Sequence, residues 1–236
     1  MGSFRFKQFE ICQDRCAMKV GTDGVLLGAW ASGGKRVLDI GAGTGLISLM
    51  MAQRFADAEV VGIDIDRDAC QQACENVAAS PFSKRVKIVN CKLQDFGKEQ
   101  DFDDDKKFDA IVSNPPFFVN SQKNPDAKRS LARHTDSLSF HDLFLGVKRL
   151  LSDDGVFSAV IPSDILETFS AEAYMLGFYV IRRCDVKTVE RKAPKRSLVA
   201  FARHRNGGME QKVECMMGSD GNRSPWYIKL TEDFYL

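Results

Sequence analysis

The chain has 236 residues, of which 44% are hydrophobic and 28% charged, a composition that supports a buried core and excludes a disordered, collagen-like or fibrous protein. Its 33 lysines and arginines face 32 aspartates and glutamates, for a net charge of +1, so a polyanionic partner has to be held by local clustering and not by the total. No apolar run approaches the roughly 18 residues of a membrane helix, and the start lacks the apolar region of a secretory signal, which predicts a cytoplasmic protein with no membrane partner.

In chain order, Phe4, Phe6, Phe9 and Ile11 predict a small extended ribbon. The glycine-punctuated stretch from Lys19 to Gly28 reads as turns, so residues 1–35 form an N-terminal cover. From residue 36 short apolar runs alternate with helical patterns, the mark of a parallel sheet with crossover helices. Strands are expected at 36–40, 59–64, 86–90 and 108–113, with helices at 46–55 and 67–79, the second ended with the help of Pro81. The acidic stretch 101–105 reads as a solvated loop. A helix at 139–151 leads through Asp153-Asp154-Gly155 into a strand at 156–161, followed by a helix at 163–176 that Gly177 caps. Strands at 178–189 and 197–203 are too close in sequence for a parallel crossover and predict an antiparallel hairpin. The main domain is therefore expected over 36–206, with 207–236 as an extension packed on it.

Seven cysteines, at 12, 16, 70, 74, 91, 184 and 215, are odd in number and scattered, which predicts reduced thiols. Cys12 with Cys16, and Cys70 with Cys74, are spaced to offer paired sulfurs on a helix face. A structural zinc site usually repeats a tighter spacing, so no metal is expected.

The first strand of the main domain runs into Asp39-Ile40-Gly41-Ala42-Gly43-Thr44-Gly45, where backbone can approach a nucleotide-like ligand closely. A dinucleotide fingerprint needs a glycine where Leu46 stands, which disfavours NAD. About 20 residues further on, Asp64 is placed to accept the hydroxyl hydrogens of a ribose, with Asp66 as a competitor. Asp95 can accept from an adenine amine, and Phe96 can cover the ring. The most specific feature is Asn114-Pro115-Pro116-Phe117 at the end of the strand 108–113. An amine conjugated to a purine is a poor nucleophile, because its lone pair is delocalised. The Asn114 oxygen and the Pro115 carbonyl can accept its two hydrogens and localise that pair, while Phe117 stacks on the planar group. No strong base is required.

Together, residues 37–49, Asp64, Asp95 and Asn114 to Phe117 resemble the class I S-adenosylmethionine (SAM)-dependent methyltransferases of the amino-methylating type. The resemblance implies a Rossmann-like, seven-stranded α/β sheet with a C-terminal antiparallel hairpin, and SAM as cofactor. Phe6 to Phe9, the run Asp14 to Trp30 and the final Phe234-Tyr235-Leu236 more narrowly resemble the bacterial tRNA1(Val) adenine-37 N6-methyltransferases. That family usually has Tyr where this chain has Phe117, which keeps a stacking ring and removes a hydroxyl. By the same resemblance Lys19, Thr22 and Asp23 line the cofactor side with Asp39, Gly41, Gly43, Gly45, Asp64, Asp95 and Asn114. The implied reaction is methylation of adenosine N6 in RNA, with guanine N2 of ribosomal RNA and glutamine N5 of a protein as rivals that share the motif. A module that binds SAM or RNA without turnover is the rival outside methyl transfer.

RNA also suits the charge pattern, since residues 182–205 hold nine Lys or Arg against Asp185 and Glu190. Arg191, Lys192, Lys195 and Arg196 are expected at the hairpin turn beside the active site, and Arg133 and His134 are placed to meet phosphate or base. No stable protein partner is expected.

Overall fold

The computed structural model describes residues 2–16, 19–98, 106–116, 138–205 and 207–235. Strands β1 (Ser3–Arg5) and β2 (Glu10–Cys12) pair antiparallel as the small ribbon. Then come α1 (Thr22–Trp30), β3 (Arg36–Ile40), α2 (Leu46–Arg54), β4 (Glu59–Asp64), α3 (Arg67–Ala78), β5 (Val86–Asn90) and β6 (Phe108–Ser113). Helix α4 (Phe140–Leu150) runs directly into β7 (Leu151–Pro162), followed by a 3-10 turn (Ser163–Ile165), α5 (Leu166–Met175), β8 (Tyr179–Val189), β9 (Arg196–Ala202), β10 (Glu210–Met217) and α6 (Pro225–Thr231). The main sheet has the order β10-β8-β9-β7-β6-β3-β4-β5. It is parallel except for β9, which runs against both β7 and β8.

Val37, Leu38, Asp39 and Ile40 of β3 are all buried, as a strand covered on both faces requires. One apolar layer lies between the sheet and α1 to α3, and includes Leu26, Leu27, Leu49 and Met50. The layer under α4 and α5 is aromatic: the Phe144 ring sits 4.9–5.4 Å from those of Phe169, Phe201 and Phe157. The ribbon closes the first layer, with Phe6 stacked on Phe9 at 4.7 Å and on Tyr235 at 6.0 Å.

Three expectations need correction. The sheet has eight strands among the described residues, because 210–217 adds β10 in parallel at the edge beyond β8. Gly155 does not end a turn before β7. The segment 151–155 already belongs to that strand, and the register slips between the pairs Phe108 with Leu151 and Ala110 with Val156, as at a bulge.

The third correction is α1, a helix where turns were expected. Its glycines mark close packing and not flexibility. A Cβ on Gly28 would stand 2.6 Å from Met50 Sδ, and one on Gly24 3.1 Å from Leu46 Cδ2, so Gly24 and Gly28, four apart on one face, let α1 approach α2. Two arginines hold its C-terminal end: Arg54 donates to the carbonyls of Gly28 and Ala31 at 2.9 and 2.7 Å, and Arg182 to that of Trp30 at 2.6 Å, with its guanidinium 3.7 Å from the indole centroid. They satisfy carbonyls that a helix end otherwise leaves to water.

Gly28→Val should therefore lower the melting temperature by about 4–8 °C, or about 2 kcal/mol of overpacking, although valine is the better helix former. Gly208→Ala, where an added Cβ meets nothing within 4 Å, should leave it unchanged. Thermal denaturation followed by circular dichroism measures both, and an unchanged Gly28→Val would mean that α1 does not need the close contact.

Candidate active site

The chain builds β3, β4 and β5 outward in one direction, then returns to place β6 on the other side of β3. A crevice opens at the carboxyl ends of strands where the order reverses in this way. Ser113 Oγ, at the end of β6, donates to the Ile40 carbonyl at the end of β3 at 2.9 Å, which pins the two lips of the crevice together.

On the β3 lip, Gly41, Gly43 and Gly45 have φ of 75°, 52° and 80°, a left-handed region that side chains disfavour. The Gly41 and Ala42 amides donate to the Ile63 carbonyl. Asp64 Oδ2 accepts from the Gly43 amide at 2.8 Å, and Oδ1 accepts from the Asp66 amide at 2.9 Å. A Cβ on Gly41 or Gly43 would meet nothing within 4 Å, so the loop borders open space that a ligand can enter. Gly45 backs onto Ala73, 3.3 Å from an added Cβ.

Two polar side chains that sequence reasoning passed over hold this loop. Asn76 Nδ2 donates to the Thr44 carbonyl and to that of Cys12, and Asn76 Oδ1 accepts from the Cys12 amide, all at 2.9 Å. The signal for it was a buried polar residue between Ala73 and Val77 on the apolar face of α3. Asn90 Nδ2 donates to the carbonyls of Asp64 and Ile65 at 2.9 and 3.0 Å, and Ile65, 51% exposed, offers apolar surface beside Asp64.

Asp39 is fully buried. Its Oδ2 accepts from Ser48 Oγ at 2.7 Å, and its Oδ1 has no partner among the described residues. Burial raises its carboxyl to about 7, with the Asp64 charge adding and the Ser48 hydrogen bonds opposing. The thiols of Cys16 and Cys70 are likewise pushed up to about 11, chiefly by burial and then by nearby aspartates. Such thiols stay protonated near pH 7. Among the described residues no group of three His, Cys, Asp or Glu is arranged to hold a metal.

On the β6 lip, Pro115 is buried and Pro116 exposed. The Asn114 Oδ1 atom is shielded from solvent and has no hydrogen-bond partner among the described residues. An unpaired buried acceptor is costly, so it points to a donor that arrives with a ligand. Asp95 lies exposed on the turn 93–97, paired with Lys98 at 3.0 Å. Thr22 and Asp23 open α1, and Lys19 is exposed just before it. Phe117, Arg133 and His134 lie outside the described residues, as does the acidic stretch 101–105.

The hairpin charges divide. Since β8 runs parallel to β7, its turn projects from the same carboxyl edge, and the Ser163 amide donates to the Lys195 carbonyl at 3.2 Å. Arg191, Lys192 and Lys195 are exposed and make no ion pair among the described residues. Arg196 instead turns inward, its Nε 2.6 Å from Asp23 Oδ1, and so joins two residues that had been read as belonging to different sites.

The profile of the family described as the methyltransferase small domain matches residues 20–164. A Bacteroides fragilis protein named tRNA1(Val) (adenine(37)-N6)-methyltransferase is 46% identical over 99% of this chain and 97% of its own length. Among solved structures, one described as a predicted O-methyltransferase from Agrobacterium tumefaciens superposes with a TM-score of 0.67 at 17% identity, covering 90% of this chain and 96% of that one. A glycopeptide N-methyltransferase in complex with SAM superposes at 0.55 with 14% identity, covering 79% and 100%; these two likenesses carry the Rossmann-like methyltransferase fold. With the glycine loop on that fold and such identity along nearly its whole length, the chain belongs to the class I SAM-dependent methyltransferases and, among them, to the family of the tRNA1(Val) (adenine(37)-N6)-methyltransferases.

Proposed function

We propose that this protein transfers a methyl group from SAM to the exocyclic N6 amine of adenosine 37 in tRNA1(Val). The observation that carries the chemistry is the buried Asn114 Oδ1, which has no partner among the described residues, on the lip across from the open glycine loop. The identity to relatives named for adenine N6 supports adenine over guanine N2 or glutamine N5. When bound, SAM supplies an electrophilic methyl group on a sulfonium.

The chain's own groups do the positioning. Asp64, with one lone pair on each oxygen engaged by loop amides, keeps others for ribose hydroxyls, and Ile65 covers a face of the adenine. Asp95 accepts from the adenine amine of the cofactor. Asn114 Oδ1 and the Pro115 carbonyl accept the two N6 hydrogens of the substrate, drawing the nitrogen toward pyramidal geometry so that its lone pair can attack, and Phe117 stacks on the base. Solvent takes the proton after transfer. Arg191, Lys192 and Lys195, with Arg133 and His134 beyond the described residues, meet RNA phosphates around an unstacked loop base. No helix among the described residues is long and apolar enough to cross a membrane.

Incubating tRNA with the protein and labelled SAM, followed by nucleoside mass spectrometry, should yield N6-methyladenosine; N2-methylguanosine alone would overturn the base assignment. Asn114→Ala should lower turnover by about two to three orders of magnitude, with S-adenosylhomocysteine affinity by calorimetry nearly unchanged. Near-normal turnover would remove Asn114 from the mechanism.

Replacing Arg191, Lys192 and Lys195 together by serine should raise the Michaelis constant for tRNA and reduce the salt slope of RNA binding by about 2. Cofactor affinity serves as the internal control, and an unaltered slope would place the RNA surface elsewhere.

Asp39 predicts a pH effect. Its folded-state value of about 7 lies above the ordinary 3.8, so the folded state holds a proton that the unfolded chain has released between those values. Its contribution is fully present below about pH 4 and is lost as pH rises toward 7. Ligand-free wild type should therefore lose more melting temperature between pH 5 and pH 8 than Asp39→Asn. Parallel profiles would mean that the carboxyl is ionised throughout.

A further inference from the structure

Arg149 lies in the last turn of α4, outside every site residue assigned above, yet its guanidinium is spent on one place. Nη1 donates to the Phe96 carbonyl at 2.5 Å and Nη2 to the Leu93 carbonyl at 2.8 Å. These carbonyls flank Asp95, three residues apart on a turn closed by the amides of Asp95 and Phe96 donating to the Lys92 carbonyl, each at 3.0 Å. A planar fork holds both acceptors through two nitrogens fixed in one plane, whereas an ammonium would have to serve both from one nitrogen on a flexible stem.

The same helix grips the turn a second time. Leu93 is buried against Gly146, where an added Cβ would stand 2.6 Å from Leu93 Cδ2. Phe96 packs toward Phe108 at 6.3 Å. The turn is therefore fixed on its inner side by Leu93, Phe96 and Arg149, while the Asp95 carboxylate is left exposed on the outer side, where it pairs with exposed Lys98. Burial lowers the Arg149 value and the Asp95 charge partly restores it, so the two groups lie within each other's field.

We propose that Arg149 is a positioning residue for the cofactor's adenine: by locking the carbonyls of Leu93 and Phe96 it sets the direction in which Asp95 presents its acceptor to the adenine amine. The proposal rests on the reading of Asp95 given above. It assigns Arg149 no contact with either ligand. Its effect is on base discrimination, because a carboxylate held in one direction accepts from an amine and repels a carbonyl oxygen at the same position.

Calorimetry of S-adenosylhomocysteine against S-inosylhomocysteine, in which that amine is replaced by a carbonyl, tests it on the full-length protein. Wild type should prefer the adenosyl compound by about tenfold or more. Asp95→Asn and Arg149→Met should each bring the ratio close to one, and Arg149→Lys should restore only part of it. If Arg149→Met weakens both compounds equally and keeps the ratio, Arg149 is a structural brace and the proposal fails while the Asp95 reading stands. If wild type does not discriminate, or Asp95→Asn keeps the preference, the Asp95 reading fails and takes the proposal with it. Should Arg149→Met fail to fold, the ratio measured on Arg149→Lys decides: an unchanged ratio overturns the proposal.

Discussion

The pairing of β3 with β6 is the constraint on which everything else depends. β3 is the first strand of the main sheet to form in the sequence, yet it ends up in the interior, flanked on one side by β4 and on the other by β6, which follows it by almost 70 residues. That long-range pairing brings a glycine loop and an Asn-Pro-Pro segment to adjacent strand ends. The Ser113 hydroxyl on the Ile40 carbonyl then removes the remaining freedom between them. Two distant parts of the chain become two lips of one crevice.

The polar atoms left over around the crevice follow a pattern. Buried Asn76 is satisfied three times, and exposed Asn90 ties two further carbonyls. Asp39 Oδ1 on β3 and Asn114 Oδ1 just after β6 have no hydrogen-bond partner among the described residues. The fold pairs Asn76 three times, while the Asn114 Oδ1 atom at the β6 lip has no partner among the described residues. The loop backbone is prepared in the same way, since the Asp64 bonds hold Gly43 and the segment after β4 in shape before any ligand arrives.

Much of this was legible in the sequence, for a physical reason. The strands at 36–40, 59–64, 86–90 and 108–113 announce themselves because interior parallel strands are runs of β-branched and aliphatic residues, and their bounds agree with β3 to β6. Glycine gave the opposite lesson. At 41, 43 and 45 it marks left-handed backbone at the open crevice, whereas at 24 and 28 the same residue marks a helix packed against Met50 and Leu46. Composition alone does not separate these uses. β10 was invisible because an exposed edge strand needs little apolar alternation. The hairpin charge was legible as a total and not by destination. Arg182 caps α1, Arg183 pairs with Asp185, Arg196 pairs with Asp23 and Arg203 reaches the carbonyls of Lys148 and Leu151. Except for the Arg183–Asp185 pair within β8, such partners depend on contacts between elements far apart in sequence.

Helix α1 has one more consequence. Residues 24–29 are buried without interruption, so this nine-residue helix shows no solvent face in its middle and is a member of the core, pinned at its end by Arg54 and Arg182. Lifting it would strip Leu26, Leu27 and Met50 of their contacts together, a rupture close to global unfolding. Its amides should accordingly exchange with solvent as slowly as those of the central strands. Helix α1 is then a fixed wall and not a door, and the crevice opens along the carboxyl edge, the side from which the β8–β9 turn also projects.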